Sequence, residues 1–214
     1  MAMQKSYQNY LFDADGTLID TVELICQSFK HVFDRYESID FDRKQIIGDM
    51  GKPLLEMMET YFPNQTDTNY DEITDVYRKY QLSIFHNYLA AFPNVKSTLS
   101  VLKDLGKKLV VVTSRKSDTA IEFLKLTEIF EYFDAVVTPE LTEEHKPKPE
   151  PALKALELIG GDASESVFIG DSAFDIICGD RAEMDTVFVG WSHSDPAEFK
   201  IQPTFQIEDM RDLL

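Results

Sequence analysis

Four runs of consecutive apolar residues lie in the second half of this chain: Leu109-Val110-Val111-Val112, Ala135-Val136-Val137, Val167-Phe168-Ile169 and Val187-Phe188-Val189. Runs this short and this rich in β-branched side chains read as strands buried on both faces, and strands spaced by helices pair in parallel. The segments between them carry helical patterns. Val95, Leu99, Leu102 and Leu105 lead to Gly106, and further helices are expected around residues 121–126, over 151–159 before Gly160-Gly161, and over 175–182. A fifth apolar run, Tyr10-Leu11-Phe12, breaks off at Asp13-Ala14-Asp15-Gly16. From Asp20 to Tyr88 only helical spacing appears: Val22, Ile25, Cys26, Phe29, Val32 and Phe33 share one face, and a second stripe follows Pro53 from Leu54 to Phe62. A third runs through Ile73, Tyr77, Tyr80, Ile84, Phe85 and Tyr88, a set expected in a core. Asp20 with Glu23 three places on predicts a capping box at the first of these helices. The expectation is an α/β fold, a doubly wound parallel sheet over residues 1–18 and 92–214, with a small all-helical domain over 19–91 inserted after the first strand.

Charge narrows the partners. Thirty-eight acidic residues against 21 basic ones give a net charge of −17, which argues against nucleic acid or an anionic membrane as a partner. No apolar run approaches the length that crosses a bilayer. Two cysteines, Cys26 and Cys178, cannot build a disulfide framework and are expected to be buried small apolar residues. With no basic-then-apolar leader in residues 1–10, the reading is a cytoplasmic protein, monomer or dimer being open.

In open parallel sheets the ligand sits beyond the carboxyl ends of the strands. Those ends hold Asp13, Asp15, Gly16 and Thr17, then Thr113 and Ser114, then Lys146 in the segment after the third strand, then Gly170, Asp171, Ser172 and Asp175. Converging carboxylates disfavour one another's ionised forms unless a cation intervenes, and Mg²⁺ suits a few carboxylates with water and a phosphate. Such a set fits phosphoryl transfer, with one carboxylate as nucleophile and a second as proton donor and acceptor.

At these positions the chain resembles the haloacid dehalogenase superfamily of phosphohydrolases. Its motifs appear in family order: Asp13-Ala14-Asp15-Gly16-Thr17 after a strand, Val110-Val111-Val112-Thr113, Lys146-Pro147-Lys148-Pro149, and Gly170-Asp171-Ser172-Ala173-Phe174-Asp175. The resemblance implies that Asp13 is the nucleophile and Asp15 the general acid/base. It implies that Thr113 and the Ser114 backbone hold the phosphoryl oxygens, and that Lys146 offsets charge on Asp13. It assigns Mg²⁺ to Asp13, the Asp15 main-chain carbonyl and Asp171, with Asp175 behind them, and identifies the helical insert as a C1 cap. An acid at Asp15 favours cleavage of a phosphate ester or anhydride. Leu18-Ile19-Asp20-Thr21 and Ile46-Ile47-Gly48 are similar to the phosphoglycolate phosphatase and pyrophosphatase branch. The implied activity is Mg²⁺-dependent hydrolysis of a small soluble phosphomonoester (phosphoglycolate-like, nucleotide or sugar phosphate) or of pyrophosphate, through an aspartyl-phosphate.

Other readings stay open on the sequence alone. A phosphosugar mutase uses the same motifs, and a signalling receiver also phosphorylates an Asp beside acids, a Thr or Ser and a Lys. Lys148 competes with Lys146, Asp175 also reads as a cap for the helix that follows, and residues 48–52 form either a substrate loop offering Lys52 or a plain interhelical turn. No histidine has metal-ligand spacing, and Trp191 follows the last core strand at a position near the site mouth.

Overall fold

The computed structural model describes residues 5–36, 41–63 and 67–214. Its order is β1 (Asn9–Phe12), β2 (Ile19–Asp20), α1 (Val22–Tyr36), α2 (Arg43–Gly48), α3 (Leu54–Tyr61), α4 (Asp67–Ile84) and β3 (Ala90–Ala91), then α5 (Val95–Asp104), β4 (Lys108–Val112), α6 (Ser117–Leu126), β5 (Ala135–Val137), α7 (Glu150–Ile159), β6 (Ser166–Gly170), α8 (Ala173–Arg181), β7 (Asp185–Val189) and β8 (Phe205–Ile207). Six strands form one sheet in the order β5-β4-β1-β6-β7-β8, and every neighbouring pair is parallel. The order runs outward in both directions from β1, so the topological switch point lies at β1, between β4 and β6.

Alternation along each strand sorts the core into two layers. Tyr10, Phe12, Val111, Val167 and Ile169 point to one face, where Leu99 and Leu102 of α5 and Phe123 and Leu124 of α6 cover them. Leu11, Val110, Val112 and Phe168 point to the other, against Ala152, Ala155 and Leu156 of α7 and Cys178 of α8. Both cysteines are buried and free. Small side chains on α7 let that helix sit close to the strands.

The helical insert has a core of its own. Phe29, Phe33, Met58, Tyr61, Phe62, Ile73 and Tyr77 form a cluster separate from those of the sheet. Its rings meet at edge-to-face or tilted angles, Phe29 to Tyr77 at 4.9 Å and Phe33 to Phe62 at 5.1 Å between centroids. Of the tyrosine stripe, Tyr77 is buried, Tyr80 stacks on His31 at 3.9 Å, and Tyr88 is exposed. The two passages between sheet and insert run side by side: Ile19 pairs with Ala91 and Asp20 with Ala90, antiparallel, and the Phe92 amide donates to the Leu18 carbonyl at 3.0 Å.

One local expectation is corrected. Asp20 accepts from the Val22 amide at 3.3 Å, but Glu23 does not reach back to complete a capping box; it accepts from Gln27 at 2.7 Å and pairs with Arg43 of α2 at 2.8 Å. An opposite charge on a neighbouring helix wins over the backbone amide. Trp191 packs on Phe92, 5.8 Å between centroids, at the edge of a sheet layer, and is absent from the cavity described below. Among the described residues no helix is long and apolar enough to cross a membrane.

Candidate active site

The ladder carries its register straight into the site. The Asp13 amide donates to the Ile169 carbonyl at 2.9 Å and the Thr113 amide to the Val137 carbonyl at 3.0 Å, so each residue takes its place one step beyond a strand. Lys146, reaching in from the segment before α7, is 4% exposed. Its ammonium donates to Asp13 Oδ1 at 2.5 Å, to Asp175 Oδ1 at 2.7 Å and to the Val112 carbonyl at 3.2 Å. An ammonium has three protons, and all three are used. Lys146 thus holds one oxygen of Asp13 and leaves Oδ2 without a protein donor among the described residues. Lys148, the competitor, is exposed and pairs with Glu144 at 3.4 Å.

Asp175 is anchored twice. Its second oxygen accepts from the Ser172 amide at 3.1 Å and the Ser172 hydroxyl at 2.6 Å, forming the capping box that starts α8. The cap reading of this residue holds, and the cap also fixes the carboxylate that accepts from Lys146. Asp171 differs: no donor meets its carboxylate among the described residues, although its carbonyl accepts from Ser192 Oγ at 2.6 Å. Asp13, Asp171 and Asp175 each place an oxygen within 4.8 Å of the others. Gly16 closes the other side. Its φ is +80°, and a Cβ there would lie 2.2 Å from Asp171 Oδ2.

The charges do not balance within the protein. Four carboxylates, Asp13, Asp15, Asp171 and Asp175, face two cations, Lys146 and Arg115. Burial pushes the Asp13 carboxyl up to about 7; Lys146 pulls the other way, but the Asp175 and Asp15 charges add to the rise. Asp171 is driven well above the carboxylate range by burial and then by Asp175 and Asp13. Burial opposes the charge on Lys146 too, yet Asp13 and Asp175 outweigh it and raise its pKa. One cation among several acids stays charged while the acids compete, which is the condition a hard divalent cation relieves. The donor set, hard carboxylate oxygens with one carboxylate unengaged, fits such an ion.

Arg115 is the site residue that sequence reasoning missed. Its Nε and Nη2 donate to the two oxygens of Asp15 at 3.1 and 2.7 Å, Nη1 donates to Gln81 Oε1 of α4 at 2.9 Å, and the guanidinium lies 4.3 Å from the Phe123 ring centroid. Burial works against an ionised Asp15, but the charge and hydrogen bonds of Arg115 hold its carboxyl below the usual range. The available signal was position alone, two residues past Thr113 at a strand end. Thr113 is buried, and its Oγ1 accepts from the Arg115 amide at 3.1 Å. Ser114 turns toward the insert and donates to the Gly51 carbonyl at 3.1 Å.

These groups form the floor of a cavity of about 280 Å³ whose roof is the helical insert. Asp13, Asp15, Thr113, Ser114 and Asp171 line it from the sheet; Ile25, Phe29, Met50, Leu54, Met57 and Tyr77 line it from the insert. Lys52 reaches it from the loop before α3 while paired with Asp49 at 2.7 Å.

The model of the family described as haloacid dehalogenase-like hydrolase matches residues 10–189. The pyrophosphatase PpaX of Bacillus pumilus is 36% identical over 212 residues, covering 99% of this chain and 96% of that protein. A crystal structure of a hydrolase from Pseudomonas syringae superposes with a TM-score of 0.85 at 25% identity, covering 96% of this chain and 95% of that one. A β-phosphoglucomutase from Clostridium difficile shares the fold with a TM-score of 0.84 at 20% identity, over 97% and 93% of the two chains, so the fold does not separate hydrolase from mutase. Hydrolases of this family generally use a divalent metal, and an acidic trio is present here. The match runs from β1 to the end of β7 and spans every strand end at which the acids, the hydroxyl and the lysine meet, so this chain belongs to the haloacid dehalogenase-like hydrolases and is a phosphatase of that family.

Proposed function

We propose that this phosphatase hydrolyses a small phosphorylated compound, a phosphomonoester or pyrophosphate, through a phosphoryl group carried on Asp13. The observation that carries the reading is the asymmetry of Asp13: one oxygen is fixed by Lys146 at 2.5 Å, and the other is free beside the unengaged Asp171. In the first step Asp13 Oδ2 attacks phosphorus while the bond to the leaving oxygen breaks and Asp15 supplies the proton that oxygen takes up. In the second, water attacks the phosphoryl group, Asp15 takes its proton, and Asp13 leaves as a free carboxylate with inorganic phosphate released. Contact with Arg115 favours the ionised form of Asp15, which suits the second step, and the first step calls for Asp15 to take up its proton as substrate charge enters beside Arg115. Thr113 Oγ, whose hydrogen is uncommitted, and the Ser114 amide are the donors for the equatorial oxygens. Asp13, the Asp15 carbonyl and Asp171, with Asp175 behind them holding Lys146, would hold Mg²⁺, which would supply Lewis-acid neutralisation of phosphoryl charge. The Bacillus pumilus relative's name supports pyrophosphate as one substrate, and the apolar roof of the cavity suits the carbon skeleton of an ester.

The test is release of inorganic phosphate by purified protein with Mg²⁺ from phosphoglycolate, pyrophosphate, nucleotides and sugar phosphates, with EDTA abolishing it. Asp13→Asn is expected to lower turnover by a factor on the order of 10⁴ to 10⁶ while the circular-dichroism spectrum stays the same. Near-normal hydrolysis by that variant would overturn the reading, and isomerised sugar phosphate in place of free phosphate would replace hydrolysis with mutase chemistry.

A further inference from the structure

Resting on the phosphatase reading of the Asp13 site, we propose that Arg78 receives a second anionic group of the substrate, a carboxylate or phosphoryl group a short spacer away from the phosphoryl group that is transferred. Arg78 lies on α4, is half-buried, and lines the same cavity as Asp13, Thr113 and Asp171. Its place relative to the chemistry follows from helix geometry. Gln81, three residues on, meets Arg115 at 2.9 Å, and Arg115 grips Asp15. Residues i and i+3 are neighbours on a helix face, with Cβ atoms about 5–6 Å apart. Arg78 therefore stands about one turn along α4 from the contact to Asp15, on the roof side of the cavity.

Of the other cations about the cavity, Lys116 lies where its charge acts on Glu140, and the remaining three are paired. Lys146 is held by Asp13 and Asp175, Arg115 by Asp15, and Lys52 by Asp49. Among the described residues no acid or other hydrogen-bond partner meets Arg78. In a chain where 38 acids outnumber 21 bases, a half-buried guanidinium without a carboxylate is the reverse of what composition favours. Ile25, Met50 and Leu54 share the cavity with it, and apolar surroundings both penalise an unpaired charge and strengthen its pull on an opposite one. A planar fork of donors matches carboxylate or phosphoryl oxygens two at a time. A substrate with an anionic tail would satisfy this group; one with a neutral tail would leave it unpaired.

A substrate cycle tests the inference. Wild type, Arg78→Ala and Arg78→Lys are compared on phosphoglycolate and ethyl phosphate, which differ chiefly in the carboxylate, with pyrophosphate as a third substrate. The expected result is that Arg78→Ala lowers kcat/KM for phosphoglycolate and pyrophosphate by about 10- to 100-fold, mainly through KM, with a much smaller change for ethyl phosphate. Arg78→Lys should recover part of the loss. Equal losses on all three substrates, or a wild type that does not distinguish phosphoglycolate from ethyl phosphate, would overturn it. Calorimetric binding of phosphoglycolate and ethyl phosphate to Asp13→Asn, with and without Arg78→Ala, separates this inference from the hydrolytic one. A preference for the carboxylate that disappears with Arg78 supports the subsite even if nothing is turned over, and no preference overturns it even if turnover is robust.

Discussion

Gly16 shows how one residue couples backbone shape to charge. Its φ of +80° lets the chain turn out of β1, and the missing side chain lets that turn close on Asp171, whose Oδ2 would sit 2.2 Å from a Cβ. Gly16→Ala therefore meets two penalties: a left-handed backbone costs a side-chain-bearing residue about 1–2 kcal/mol, and the Asp171 carboxylate has to move. The expected outcome is loss of at least about tenfold in kcat/KM, corresponding to at least ~1.4 kcal/mol, together with a reduced rise in Tm on adding Mg²⁺. An unchanged Mg²⁺-dependent shift in thermal melts would show that the turn does not set the position of Asp171. Arg115 belongs to the same scale. It was invisible in the sequence because an arginine after a Thr-Ser pair has no distinctive pattern, whereas its function comes from a planar group reaching Asp15 and Gln81 together.

Among the elements, Asp134 ties the outer half of the sheet to a helix. Standing just before β5, it accepts from the Leu109 amide of β4 at 2.9 Å and from Lys103 of α5 at 2.9 Å. Burial is the largest single influence and raises its pKa, but the hydrogen bonds and charge of Lys103 and the Leu109 amide together outweigh it and hold the carboxyl below the ordinary value. A carboxyl with a folded pKa below its unfolded one binds fewer protons when folded. Its stabilisation is present above the unfolded pKa, near ~3.9, and is lost as pH falls through the folded pKa. Asp134→Asn is expected to lower stability by about 1 kcal/mol at pH 7, a figure reduced for partial exposure, with the gap between variant and wild type closing below about pH 4. Urea titrations at the two pH values check both points. The long elements were readable from period and punctuation, as with α5, whose apolar stripe stops before Gly106 at φ +73°. The short ones were not: α2 buries only Ile46, and β2 and β3 are two residues each, too few to establish a period.

At the scale of the whole molecule, the insert is fastened by the β2–β3 pairing, by the hydrogen bond from Arg115 to Gln81 of α4, and by the loop between α2 and α3. In that loop Gly51 has φ +99°, its carbonyl accepts from Ser114 Oγ at 3.1 Å, and a Cβ there would lie 3.0 Å from Ser172 Oγ. The loop thus seats the insert on the ends of β4 and β6, with the cavity between them. Gly51→Ala should strain this docked arrangement and leave the separate cores intact. The expected effect is a KM about tenfold higher, equivalent to ~1.4 kcal/mol of lost closure, with unchanged far-UV circular dichroism. Steady-state kinetics decide it, and an unaltered KM would mean that docking of this loop does not contribute to substrate retention.

Local patterning was enough to read five of the six parallel strands (the short β8 was not read), the helical insert, and the placing of Asp13, Thr113 and Asp171 just past strand ends, because strand and helix periods and the end of an apolar run are properties of neighbouring residues. Which groups touch was another matter. The three-way hold of Lys146, the free oxygen of Asp13, the grip of Arg115 on Asp15 and the unpaired Arg78 each depend on side chains from separate segments arriving at one place. Hydrogen bonds and charge pairs are fixed by distances of a few ångströms, and only the packed sheet and its docked insert set those distances.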